Sequence, residues 1–135
     1  MGLRKIYLDS CIVIYVVEGH PLYASKIDAE INALQAAQIC YSPLVRLECL
    51  VSPLQTKDQK TQQLYEQFWV SQHKLPLLDD IFDLAAQLRA DHKSLKTPDA
   101  LHLATVLHYG CDEFWTNDDR LAKIAPQVAR NILTT

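Results

Sequence analysis

Thr97-Pro98-Asp99-Ala100-Leu101-His102-Leu103-Ala104 reads as the opening turns of a helix. The Thr97 hydroxyl can cap it. Pro98 suits the first helical position, where an amide proton has no intrahelical acceptor, and Asp99 falls in the first turn, where the helix dipole favours a carboxylate. Ala100, Leu101, Leu103, Ala104, Val106 and Leu107 leave little polar surface, so the helix is expected to be buried and to stop at Gly110. A buried helix that begins with an acid puts a carboxylate at the rim of the core. Taken alone, such an aspartate is more often a terminus device than one wall of a site. Other acids in the chain change that balance.

Outward from this helix, short apolar runs alternate with helical patterns. Lys5-Ile6-Tyr7-Leu8 reads as a buried strand ended by Asp9-Ser10, either of which can cap the apolar stretch Cys11–Val17. That stretch is rich in β-branched residues, which favours a strand, but no hairpin signal separates it from the first run, so a helix is expected. A helix is expected within 22–38, a second strand at Ile39-Cys40-Tyr41, and a helix capped by Ser42 with Pro43 first and closed by Ser52-Pro53. Leu64, Tyr65, Phe68 and Trp69 form one stripe on the next helix, suited to core or to chain pairing. Leu75-Pro76-Leu77-Leu78 is a ragged edge-strand candidate, and Asp79-Asp80 caps a helix to about His92. A strand at Asp112–Thr116, a short helix from Asn117-Asp118 and a last strand within Val128–Leu133 complete the pattern. This is an α/β pattern: a three-layer sandwich, with a mostly parallel sheet of four to five strands between helices, in one domain over residues 1–135.

Length and composition agree with that architecture. The 135 residues suffice for one real core, and 49% hydrophobic with 21% charged residues is ordinary for a globular chain. The formal charge of −3 argues against a broad basic surface, though a bound divalent ion would reverse the field of an acidic site. No apolar run reaches membrane-spanning length, and Met1–Lys5 leads into too short an apolar run for a leader, so no membrane and a cytoplasmic location are expected. Cys11, Cys40, Cys49 and Cys111 show no metal-binding spacing and read as small buried hydrophobes of a reducing compartment. His108 and Cys111 lack a second ligand pair.

In parallel α/β folds, sites lie at the carboxyl ends of strands. Asp9 directly follows the first strand, Glu48 lies on the helix after the second, Asp99 opens the central helix and Asp118 directly follows the fourth strand. Each can be structural by itself: Asp9 and Asp118 as caps, Glu48 as a solvated helix residue. Four acids at these four topological places suggest one crevice. Carboxylates packed together repel, and the chain offers no matching cluster of lysine or arginine at these positions. A hard divalent cation, Mg2+ or Mn2+, is the natural counter-charge. Held by oxygen ligands, it can activate water and stabilise a phosphoryl transition state.

These stretches resemble a known family. Ile6-Tyr7-Leu8-Asp9-Ser10, Arg46-Leu47-Glu48, the block from Thr97 to Ala104, and Trp115-Thr116-Asn117-Asp118 look like the four motifs of PIN-domain ribonucleases, and most of all the VapC-type toxins of bacterial toxin–antitoxin pairs. The resemblance covers the whole chain in order. It implies that Asp9, Glu48, Asp99 and Asp118 form the catalytic acidic site, with Asp9, Asp99 and Asp118 on the metal and Glu48 orienting water. It also implies that Thr116, with Ser10 beside Asp9, supports the site, and that the activity is metal-dependent endonucleolytic cleavage of RNA. A homodimer and an inhibitory antitoxin partner are implied too.

Two departures stand out. Where the family often has Asn or Ser, two positions after the first acid, this chain has Cys11. Asp118 is followed by Asp119, and the Thr-x-Asp register favours Asp118 as the site acid. Cys11 also argues against an aspartyl-phosphate phosphatase, which would want an acid there. A catalytically silent binding module of the same fold is the alternative function. Arg46, Lys93 and Lys96 are candidates to meet RNA phosphates. His102, three residues after Asp99 and on the same helix face, can touch the site, but a packed histidine with one hydrogen bond is the expectation.

Overall fold

The computed structural model describes residues 3–134. Met1 and Gly2, part of the stretch read as no leader, and Thr135 lie outside them. The sheet has five strands, all parallel, in the order β3-β2-β1-β4-β5. The strands are β1 (Arg4–Leu8), β2 (Ala37–Tyr41), β3 (His73–Lys74), β4 (Glu113–Thr116) and β5 (Ala129–Asn131). Helices α1 (Ser10–Val17), α2 (Ala24–Ala33), α3 (Pro43–Gln55), α4 (Gln59–Ser71), α5 (Asp79–Asp91), α6 (Thr97–Tyr109) and α7 (Asp119–Ile124) connect them. Among the described residues, no helix is long and apolar enough to cross a membrane.

Strand β1 lies at the centre, and Ile6, Tyr7 and Leu8 are wholly buried, as expected of a parallel strand covered on both faces. The chain adds β2 and β3 on one side of β1, then β4 and β5 on the other. The order therefore reverses between β1 and β4, and a crevice opens at the carboxyl ends of those two strands. Leu8 pairs with Trp115 in the parallel register, which sets Asp9 beside Thr116 one step later.

Several local expectations are corrected. Ser52-Pro53 does not close α3, which continues to Gln55 with Pro53 inside it. Pro53 gives up the hydrogen bond to the carbonyl four residues back and crowds it, but it continues the buried stripe of Val45 and Cys49. The third strand is His73–Lys74, ahead of Leu75–Leu78. The Leu75 amide still reaches the Tyr41 carbonyl at 2.8 Å, but Pro76 has no proton to continue the ladder. Thr97 is the first residue of α6 and not its cap, a position taken by Lys96; the Thr97 hydroxyl instead accepts a hydrogen bond from Arg89 at 2.7 Å. Asp79 and Asp80 stand in the first turn of α5, after the cap residue Leu78. The α4 stripe divides: Tyr65 and Trp69 stack in the core beside Tyr41, while Leu64 is exposed. Gly110 ends α6 in the left-handed conformation, φ 63°, as its sequence position suggests.

Candidate functional site

The site is built where β1 and β4 end. Asp9 is the N-cap of α1, and its Oδ1 accepts the Ser10 amide at 2.8 Å. Its Oδ2 accepts the buried Thr116 hydroxyl at 2.7 Å, and the same hydroxyl oxygen accepts the Asp118 amide at 3.1 Å. Thr116 thus ties the first acid to the last, a direct result of the β1–β4 register. Ser10 supports Asp9 through its backbone. Cys11 takes no part in holding Asp9; its thiol is pushed up to about 12 by burial and by the nearby Asp9 charge.

Glu48 and His102 complete one half of the site. His102 is 1% exposed, and its Nε2 lies 2.7 Å from Glu48 Oε1 and 3.9 Å from Asp9 Oδ1. Ligand atoms of Asp9, Glu48 and His102 all fall within 4.8 Å of one another, close enough to share a metal ion. On its other side, His102 Nδ1 meets the Tyr7 hydroxyl at 2.7 Å. Sequence reasoning allowed this histidine one hydrogen bond; it makes two and joins Glu48 to the core.

Asp99 and Asp118 form the other half. Asp118 caps α7, accepting the Arg120 amide at 2.9 Å, and the Arg120 guanidinium folds back onto it at 3.0 Å. The same guanidinium nitrogen lies 3.9 Å from Asp99 Oδ2. Arg120 is thus a single counter-charge to these two acids, and not a cluster that matches them. Its reach back to the cap of its own short helix is a matter of side-chain conformation, which the sequence does not display. Hydrogen bonds from Arg120 hold the Asp118 carboxyl below the usual range. Asp119 is turned elsewhere, accepting from Asn131 at 2.9 Å.

The halves meet electrostatically at Asp99. Burial first, then the charges of Asp9 and Asp118, raise its carboxyl above the ordinary value, and His102 and Arg120 offset only part of this. A raised carboxyl in the folded state means that the native protein binds the proton more tightly than the unfolded chain. Its contribution to stability is therefore lost as pH rises from the ordinary aspartate range through the raised value. The helix dipole opposes this by roughly 0.3–1 kcal/mol, yet the net environment disfavours the charge. In chelator at neutral pH, Asp99→Asn is accordingly expected to melt above the parent protein. Thermal melts followed by circular dichroism check the sign, and a lower melting temperature would contradict it.

Of the candidate phosphate contacts, Arg46 is engaged by Glu66 at 2.9 Å and lies over the Trp69 ring at 5.8 Å. Lys93 and Lys96 are exposed on the segment leading into α6. That segment also gives Ser94 and Leu95 to a notch shared with Asp99, Asp118, Arg120 and Leu121.

Residues 6–126 match the family model of the PIN domain. No curated protein matches the chain. Among solved structures, a toxin–antitoxin complex from Klebsiella pneumoniae shares 22% identity at a TM-score of 0.75, covering 93% of this chain and 96% of that one. VapBC2 from Rickettsia felis, bound to a DNA fragment from its promoter, shares 14% identity at 0.75, covering 93% and 97%. VapC20 from Mycobacterium tuberculosis, a sarcin–ricin loop cleaving toxin, shares 11% at 0.73, covering 87% and 93%. These structures share the fold. The family match runs from β1 through α7 and takes in Asp9, Glu48, Asp99 and Asp118, and the chain belongs to the PIN-domain family.

Proposed function

We propose that this chain is a metal-dependent endoribonuclease and the toxin of a toxin–antitoxin pair, with Asp9, Glu48, Asp99 and Asp118 as its catalytic acids. Two observations support the reading: ligand atoms of Asp9, Glu48 and His102 lie within 4.8 Å of one another, and the Asp99 carboxyl is pushed up by burial and then by the charges of Asp9 and Asp118. Fixed oxygen donors, with one arginine to balance them, suit a hard divalent ion such as Mg2+ or Mn2+. Asp9, Asp99 and Asp118 would hold it. Bound there, it supplies positive charge for the phosphate oxygens and eases deprotonation of water near neutral pH.

The chain's own groups do the rest. Thr116 and the Ser10 amide fix both Asp9 oxygens. With Oε1 taken by His102, Glu48 keeps Oε2 to accept a hydrogen bond from the attacking water and orient it. Arg120 is exposed and sits on Asp118 and Asp99, so it can exchange those carboxylates for a phosphate when a cation takes its place. Lys93 and Lys96, on the approach to α6, are suited to phosphates further along the strand.

A protein partner fits the surface. Leu47, Val51 and Leu54 lie along one face of α3 and are 60%, 46% and 57% exposed, an apolar stripe beside the site residue Glu48. An antitoxin or a second copy of the chain would cover such a face, in keeping with toxin–antitoxin complexes of this fold, and action in the cytoplasm follows from that role. Partner-free protein is expected to cut single-stranded or loop RNA internally in Mg2+ and not in chelator. Sequencing RNA ends after brief expression would find the cut sites. Intact RNA in both experiments would favour a silent binding module.

A further inference from the structure

The Glu48 carboxylate is the end of a buried chain of hydrogen bonds that begins at Ser42, the cap of α3 just after β2. Ser42 accepts the Val45 amide at 3.4 Å and lies 2.7 Å from the Tyr7 hydroxyl on β1. Tyr7 lies 2.7 Å from His102 Nδ1 on α6, and His102 Nε2 lies 2.7 Å from Glu48 on α3. Ser42, Tyr7 and His102 are each 1% exposed or less, so water does not compete. Phe114 packs edge-on against the Tyr7 ring at 5.5 Å and flanks the imidazole at 6.3 Å.

We propose that Ser42 and Tyr7 set the tautomer of His102, and that His102 is thereby a positioning residue that donates from Nε2 to hold Glu48 in the acidic site, not a metal ligand. The proton order follows from what each group can offer. An ionised carboxylate only accepts, so Nε2 must carry the proton. In a neutral imidazole Nδ1 is then bare and accepts from the Tyr7 hydroxyl. The Tyr7 oxygen in turn accepts from Ser42, whose oxygen already accepts the Val45 amide. Every donor and acceptor along the line is used once in a consistent direction. The opposite order leaves the Ser42 proton without a partner in a buried place, which is costly. With its Nε2 lone pair covered by a proton, His102 cannot join a metal although it stands within reach of Asp9.

This inference rests on the ribonuclease reading for its kinetic consequence but not for its tautomer. Long-range proton–nitrogen correlation spectra of the intact protein, recorded in chelator and again in Mg2+, are expected to show His102 protonated at Nε2 in both. Protonation at Nδ1, or loss of the Nε2 proton in Mg2+, would overturn the proposal whether or not the protein cuts RNA. His102→Leu removes the donor, and kcat is expected to fall about tenfold to a hundredfold, the value of a hydrogen bond to a charged group, with KM little changed. His102→Gln can present an amide N–H close to the place of Nε2, and it is expected to recover most of kcat. Equal activity of the Leu variant and the parent, or a Gln variant no better than Leu, would overturn it. If the wild-type protein cuts no RNA while the spectra show the Nε2 proton, the function fails and the proton order stands.

Discussion

Asp9→Asn is expected to leave the protein folded and to lower RNA cleavage at least about a hundredfold, the scale of losing several kcal/mol of metal-centred stabilisation. The two effects separate because Asp9 has two tasks. As a cap it accepts the Ser10 amide and the Thr116 hydroxyl. An asparagine keeps the shape and one acceptor oxygen, so the local cost is about 1 kcal/mol. As a charge it stands beside Glu48 and Asp99, where neutral asparagine is a poor substitute before a divalent ion. Cleavage rates measured beside a thermal melt check both halves. A folded variant that cuts as fast as the parent would remove Asp9 from the site.

Phe114→Ala is expected to cost about 3–5 kcal/mol, a large share of the roughly 5–15 kcal/mol that holds such a domain together. Phe114 is wholly buried on β4, opposite Tyr7 in the register, and its ring closes the space beside Tyr7 and His102. The sheet is fixed on both sides there, so the hole cannot close by a small shift. Denaturant midpoints read the loss, and a change under about 1 kcal/mol would mean that the space is filled by rearrangement. Because the same ring flanks His102, the variant is also expected to loosen Glu48.

The fold was legible because its signals are local. Apolar runs ended by Asp9-Ser10, Ser42-Pro43 and Asn117-Asp118 mark strand ends and helix starts, and the observed caps Asp9, Ser42 and Asp118 are those residues. Where a boundary depends on tertiary fit, the sequence misled. Pro53 reads as a helix stop but packs in the last turn, and Leu75–Leu78 has the composition of a strand but a proline where the ladder needs a proton. The four acids were visible as residues at topological positions. The partners of His102 and the place of Arg120 were not, since they come from side-chain directions set by packing. The imidazole three residues after Asp99 suggests proximity to the site; nothing in the chain pairs it with Tyr7 and Glu48, which are 95 and 54 residues away.

The central claim is that these carboxylates are gathered for a cation. The most direct test titrates Mn2+ into chelator-stripped, partner-free protein, reading heat of binding and melting temperature together. The account predicts saturable binding and a melting temperature that climbs with the ion, reflecting about 2.7 kcal/mol of added stability at a hundred times Kd, both largely lost in Asp9→Asn. A wild-type protein that takes up no ion and melts at the same temperature with or without Mn2+ would contradict it.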